Sequence, residues 1–343
     1  VGIGLRAGIA FDTDGNPSDP TVTPPASDAA LRADQINARP YFGGQIHDNI
    51  AFEGNLDFST GGASLLDAVV KLQIDELFNV WMGQFLPPSS RANLSGPYYQ
   101  NNWNYPLFVQ GFPFDYAGRD RGLAFWGQVN GGAFKYQVGA FDLEPGNPVE
   151  NARIAARVVA NFLDPEPGYY NSSTYYGGKD VFAIGATLQA QDPQDVDADM
   201  NMMIDNGEDE DKMLGVQFDV LYENNMDASG VLSLEGSFWL FDTDPAYINN
   251  PVNGGPPIQG KGSSFFVLAS WLAPDKAGIG QLQPNVRLQM VNPDDDALDS
   301  EMLIDGGLNY IIDGHNTRLH LVVSHNTATE GTAIQAGTQL QMW

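Results

Sequence analysis

The feature that most constrains this chain is a period-two alternation of apolar and polar residues, which recurs in about sixteen segments. In the final segment, from Ile334 to Met342, apolar or small residues occupy every second position, and mostly glutamines lie between them. Successive side chains of a β-strand point to opposite faces. Each segment is therefore predicted to be a strand with one apolar and one polar face, and Met342 is expected on the apolar face.

The connections between these segments alternate between short and long. Short turns rich in Asn, Asp and Gly lie at 47–49, 75–76, 130–132, 225–229, 274–278 and 313–316, whereas long connections lie near 12–32, 87–118, 143–150, 192–210, 242–261 and 292–300. The segment 163–180 is the exception, because it is long where a short turn is expected. Such alternation is typical of an up-and-down antiparallel barrel that crosses a membrane. A β-sandwich, which also alternates, is the competing architecture.

The expected fold is thus all-β: a single transmembrane β-barrel domain over residues 1–343. No apolar run approaches the roughly 20 residues that a membrane-spanning helix needs. The formal net charge of −27 argues against a nucleic-acid partner, and the absence of cysteine excludes disulfides and thiolate chemistry. The first residues are strand-like, so any signal peptide is expected to have been removed already.

Charge is divided between the strands and the connections. Nine of the 16 basic residues lie in predicted strands opposite the apolar stripe, whereas acids are concentrated in the long connections. An outward cation at the middle of the bilayer would cost about 2–4 kcal/mol, so these cations should face the lumen. They either pair with inward acids or draw anions through a pore. The predicted lining residues are Arg6, Arg39, Lys71, Arg121, Lys135, Arg153, Arg157, Arg287, Arg318, Glu53, Asp57 and Asp219.

The longest connection, 87–118, carries eight aromatic residues between Tyr98 and Tyr116. An exposed loop rarely carries so many. We expect it to fold into the lumen and constrict the pore, with Arg91, Tyr105, Asp115 and Tyr116 as candidate constriction residues. The alternative is that it packs against a neighbouring subunit or the barrel rim.

Two acidic runs place oxygen ligands at alternate positions, as hard cations such as calcium prefer. The candidate ligands are Asp12, Asp14, Asp195, Asp197, Asp199 and Asn201. Neither run completes a twelve-residue calcium-binding loop, so solvated acidic loops are the alternative. No cofactor is required by any motif, and no enzyme motif is present.

The stretch Gly118–Phe141, which begins GRDRG and contains a Gly-rich hairpin, resembles the phosphate-selective porin family (O/P type). Shorter segments at 38–42, 79–87, 153–162 and 169–180 are similar to the same family. The resemblance implies a 16-stranded barrel, usually trimeric, in a Gram-negative outer membrane. It carries over one functional residue, Arg121.

The predicted function is an outer-membrane porin: a water-filled channel, surrounded by outer-membrane lipid, for small hydrophilic solutes or ions. A homotrimer and a weak anion preference are expected. The alternatives are a soluble or surface β protein that binds glycans or ions, and a plugged structural barrel.

Overall fold

The computed structural model describes residues 1–12, 30–59, 62–107, 118–141, 143, 152–191, 213–242, 261–294, 300–327 and 332–342. The first eight strands are β1 Gly2–Asp12, β2 Ala30–His47, β3 Ile50–Ser59, β4 Gly62–Gln73, β5 Asn79–Phe85, β6 Asp120–Val129, β7 Phe134–Phe141 and β8 Arg153–Asn161. The rest are β9 Val181–Gln191, β10 Met213–Asn225, β11 Val231–Asp242, β12 Lys261–Leu272, β13 Lys276–Ala277, β14 Gly280–Pro293, β15 Glu301–Asp313, β16 Thr317–Asn326 and β17 Thr332–Met342.

Helical structure in the described ranges is confined to three short pieces. These are an α-helix, α1, at Arg91–Ser95 and 3₁₀ turns at Asn130–Gly132 and Asp227–Ser229. No helix among the described residues is long and apolar enough to cross a membrane.

The strands form one closed antiparallel sheet. Each long strand pairs with its neighbours in sequence, and β17 pairs with β1 from Ile3 opposite Met342 to Asp12 opposite Ala333. The two-residue strand β13 belongs to the hairpin between β12 and β14. Within the described ranges, sixteen long strands therefore make an up-and-down barrel, which confirms the predicted fold.

The alternation of each strand separates the two faces of the barrel. On β8, Ile154 and Val158 are exposed outside, whereas Arg153 and Arg157 are buried inside. On β17, Met342 is exposed, as its position in the alternation predicts. Apolar residues on the outer face remain exposed in the isolated chain, as expected of a sheet that faces lipid.

The connections after β2, β4, β6, β10, β12 and β15 lie at the same end of the barrel as the strand ends Gly2 and Met342, and we call this the short-turn end. The connection between β8 and β9, residues 162–180, is at this end too. Its first residues prolong the β8–β9 ladder, since the Phe162 amide donates to the Phe182 carbonyl and the Asp164 amide to the Asp180 carbonyl, both at 2.8 Å. Beyond this ladder the connection enters the lumen.

Candidate functional site: the barrel lumen

Eight of the nine cations assigned to the inner wall are on the inward face. They are Arg6, Arg39, Lys71, Lys135, Arg153, Arg157, Arg287 and Arg318. The acids Glu53, Asp57 and Asp219 face inward as well. The strands place them there because each lies in the polar phase of its alternation.

The structure corrects the predicted position of Arg121. It is exposed on the outer face of β6, in the same phase as Leu123 and Phe125, while Ala124 and Trp126 are buried. The prediction assigned Arg121 to the wrong face. Its position at the loop end of the strand, rather than in the middle, is where a long cationic side chain can reach water at the membrane boundary.

Most of the inward cations are paired with carboxylates. Arg39 Nη2 lies 2.6 Å from Asp57 Oδ2, and Lys71 pairs with Glu53. Arg153 pairs with Asp120. A wall of paired charges avoids the high cost of an uncompensated buried charge.

Other wall cations bind a segment that crosses the lumen. We call residues 86–107 the lumen loop; it follows β5 and includes α1. Arg6 Nη2 donates to the Trp103 carbonyl at 2.6 Å, and Arg287 Nη1 donates to the Asn104 carbonyl at 2.7 Å. Arg318 donates to the Gln100 carbonyl. The lumen loop thus uses its backbone oxygens to satisfy buried guanidinium groups.

The lumen loop follows a large part of the inner wall. Gln189 on β9 donates to the Pro88 carbonyl at 2.7 Å, Asn309 on β15 to the Asn101 carbonyl at 2.7 Å, and Gln339 on β17 to the Tyr98 carbonyl at 2.9 Å. Of the four constriction candidates, Arg91 is fully buried and Tyr105 is half-buried. Asp115 and Tyr116 lie outside the described residues.

A second segment, which the sequence did not place in the lumen, enters from the short-turn end. We call residues 162–180 the inner turn. Tyr169 stacks on Trp81 with ring centroids 4.5 Å apart, and Gln137 donates to the Tyr169 carbonyl at 2.6 Å. Lys135 donates to the Gly168 carbonyl at 3.2 Å. The only signals in the sequence were the unexpected length of this connection and its tyrosines.

The inner turn carries a carboxylate with a shifted pKa. Burial alone would raise the pKa of Glu166, but the guanidinium of Arg91 outweighs burial and lowers this pKa to about 2. Glu166 is therefore ionised and paired.

Two groups of ion pairs in the described lumen differ in solvent exposure, and Arg153–Asp120, with 3% and 19% side-chain exposure, is intermediate between them. The pairs Arg157–Asp219 and Arg287–Asp305, which lie under the lumen loop, keep at most 2% side-chain exposure. The exposed group lies on β2, β3 and β4, with one partner, Arg119, just before β6. Its members, which we call the exposed arc, keep 8–39% side-chain exposure and are Arg39, Asp57, Glu53, Lys71, Asp67 and Arg119.

The exposed arc carries three cations and three carboxylates. Arg119 Nε lies 3.2 Å from Asp67 Oδ1, and the Arg39 guanidinium lies 5.9 Å from the centre of the Tyr98 ring of the lumen loop. Arg119 was not among the predicted lining residues. It comes just before the first residue of β6. A solute that crosses the lumen beside these groups meets fixed charges of both signs.

The metal prediction remains a prediction. Asp12 ends β1, and the other candidate ligands Asp14, Asp195, Asp197, Asp199 and Asn201 lie outside the described residues. Among the residues that the structure describes, no three acidic or histidine side chains are grouped to hold a metal ion.

Comparison with known proteins supports the fold. No protein-family profile and no curated protein sequence matches the chain. OmpF of Salmonella typhi, solved with daunomycin, is 13% identical with a TM-score of 0.61, and the match covers 99% of this chain and 96% of OmpF. The anion-selective porin from Comamonas acidovorans is 11% identical with a TM-score of 0.56, covering 99% and 98%. A loop-deletion mutant of OmpT, an outer membrane protein of Vibrio cholerae, is 11% identical with a TM-score of 0.58, covering 100% and 98%. In its described residues, this chain therefore shares the barrel fold of these outer-membrane proteins.

Proposed function

We propose that the protein is an outer-membrane porin, a channel through which small hydrophilic solutes and ions diffuse. The observation that carries the proposal is the closed barrel whose outer face is apolar and whose inner wall holds paired charges. Backbone groups in lipid must all be hydrogen-bonded, and a closed barrel meets that demand. A barrel of sixteen strands is wide enough for an aqueous channel. The proposal includes lipid around the barrel, a homotrimer and no catalysis.

The exposed arc supports a weak ion preference. Arg39 and Arg119 would favour anions, while Asp57 and Asp67 beside them oppose this preference. We therefore propose a weak anion preference and no strong selectivity. The resemblance to phosphate-selective (O/P type) porins rests on the Gly118–Phe141 stretch, and its carried-over residue, Arg121, faces outward. Phosphate selectivity has no support from the inner wall.

Recording from planar lipid bilayers tests the proposal. We expect stable conductance steps from the purified protein, with a small reversal potential in a potassium chloride gradient. A folded, membrane-inserted protein that gives no conductance would contradict the channel. It would favour the second candidate, a plugged barrel, which is suggested by the amount of lumen that the lumen loop and the inner turn occupy.

A further inference from the structure

Two segments from opposite ends of the barrel meet in the lumen. The lumen loop is the first part of the connection between β5 and β6 and comes from the end opposite the short-turn end, whereas the inner turn comes from the short-turn end. The contacts between the two segments indicate a structural role for the inner turn.

The central contact is an ion pair between Arg91 of the lumen loop and Glu166 of the inner turn. Arg91 Nη1 donates to Glu166 Oε1 at 2.7 Å and Nη2 donates to Oε2 at 2.6 Å, so both oxygens are engaged. The two side chains are 0% and 1% exposed. Tyr175 adds a hydrogen bond to Glu166 Oε1 at 2.6 Å. A two-point pair of this kind fixes orientation as well as distance.

Further hydrogen bonds join the two segments along the lumen loop. The Tyr169 hydroxyl donates to the Leu86 carbonyl at 3.0 Å, and Asn171 Nδ2 donates to the Arg91 carbonyl at 3.1 Å. The Ser173 amide donates to the Tyr99 carbonyl at 3.0 Å. The inner turn therefore supports the lumen loop from residue 86 to residue 99.

The inner turn is itself fixed to the wall. Glu223 on β10 is fully buried and accepts from the Thr174 hydroxyl at 2.7 Å, the Tyr175 amide at 2.9 Å and the Gly177 amide at 2.9 Å. These contacts do not involve the lumen loop. Support thus passes from the wall to the inner turn and from the inner turn to the lumen loop.

We propose that the inner turn sets the width of the channel by holding the lumen loop in place, and that Arg91 and Glu166 are the positioning residues. This inference rests on the proposed porin function. Removing the inner turn, or its pairing with Arg91, should widen the conducting path without changing the residues of the exposed arc.

A deletion provides the first test. Because the β8–β9 ladder continues to the hydrogen-bonded pair Asp164 and Asp180, residues 165–179 can be replaced by Asn-Gly, which closes a two-residue hairpin on such a pair. We expect a folded barrel whose single-channel conductance is raised at least about twofold, because the space of a sixteen-stranded lumen is freed. Larger uncharged solutes should also enter liposomes that contain this variant.

Point variants test the positioning residues. Glu166→Gln and Arg91→Gln should each raise the conductance and its fluctuations. Arg91 Nε also lies 3.7 Å from Asp219 of the wall, so the double variant should resemble Arg91→Gln rather than exceed it. Asp120→Asn is the control. It also removes a carboxylate from an ion pair inside the barrel, but that pair, Asp120 with Arg153, joins β6 to β8 of the wall. The control should leave the conductance unchanged. Circular dichroism and a cooperative unfolding transition establish that each variant is a folded barrel.

The outcomes separate this inference from the proposed function. Equal conductance for the wild type and the folded deletion variant would overturn the inference while the porin function stands. If the deletion variant conducts and the wild type does not, the inference is supported, and the proposal that the wild-type channel is open is overturned. If neither conducts, both are overturned. A conductance increase in Asp120→Asn equal to that in Glu166→Gln would overturn the role of the Arg91–Glu166 ion pair.

Discussion

Neutralising Asp57 should make the channel more selective for anions. Asp57 pairs with Arg39 at 2.6 Å, and their side chains keep 10% and 13% exposure, so both charges act on a solute in the lumen. In Asp57→Asn the guanidinium of Arg39 stays, but the carboxylate that opposes it is gone. The exposed arc then holds three cations and two carboxylates.

Coulomb's law gives the size of the effect. An ion that passes about 6 Å from the carboxylate interacts with it by about 0.7 kcal/mol in water. Screening over a Debye length of about 8 Å at 0.15 M salt reduces this energy to about 0.3 kcal/mol. The substitution favours an anion and disfavours a cation by that amount, so the anion-to-cation permeability ratio should rise about threefold. At 0.01 M salt, where the Debye length is about 30 Å, the rise should be about sevenfold.

Reversal potentials in potassium chloride gradients at the two ionic strengths measure this ratio. Asp227→Asn, which removes a carboxylate from the exposed turn after β10 at the short-turn end, is the control and should shift the ratio much less. The reasoning would be refuted by an Asp57→Asn channel with the wild-type ratio at low salt, or by one that shifts towards cations.

Three further predictions concern stability, measured as urea unfolding in detergent micelles. Asp219→Asn leaves Arg157 buried without its carboxylate, 2.6 Å away in the wild type, and should cost about 3–5 kcal/mol; a cost below about 1 kcal/mol would contradict the buried pair. Burial and then the charge of Arg318 lower the pKa of His315, in the turn after β15, to about 4. The unfolded chain binds this proton near pH 6.5, so the stability contribution of His315 is complete above pH 6.5 and is lost as the pH falls towards 4, by up to about 3 kcal/mol. The stability of the His315→Gln variant should therefore depend less on pH than that of the wild type. Identical profiles of stability against pH for the two proteins would contradict this explanation. Val138→Arg puts a cation on the outer face in the middle of β7 and should cost about 2–4 kcal/mol relative to Val138→Ala, whereas equal stabilities would mean that this face does not meet lipid.

Much of the barrel could be predicted from the sequence because its pattern is local. Alternation decides which face a residue occupies, and it placed Arg153 and Arg157 inside without any knowledge of their partners. The same pattern could have placed Arg121 correctly, since Leu123 and Phe125 share its phase. The sequence therefore contained the information needed to place Arg121 on the outer face, and the prediction did not use it.

Local pattern fails where the ladder is irregular. Alternation puts Leu66 on the outer face with Ala68 and Val70, yet Leu66 is buried at 6% exposure. The β3–β4 register pairs Asn55 with Asp67 and Leu56 with Leu65, so Leu66 is an extra residue in a bulge. A bulge depends on the partner strand and leaves no mark in a single strand's alternation.

The contacts inside the lumen were the least predictable part of the structure. The inner turn enters the barrel because Glu223 and Lys135, each more than thirty residues from the groups they bind, offer buried partners there. The pairing of Arg91 with Glu166 spans 75 residues. Contacts of this kind depend on the closed barrel, which brings distant residues together only after the strands are in place.

In the proposed outer-membrane porin, the junction between β1 and β17 affects how the barrel can insert into the bilayer. Every other pair of long strands is adjacent in sequence and can form early, but this ladder joins Ile3 to Met342 and closes the longest loop in the chain. Until it forms, two strand edges present unpaired backbone groups, each of which would cost several kcal/mol in hydrocarbon. An open sheet would therefore be expelled from the bilayer interior or would pair with another chain. Insertion and closure must then occur as one step, so substitutions along this single ladder should reduce the yield of assembled protein more than similar substitutions in any hairpin.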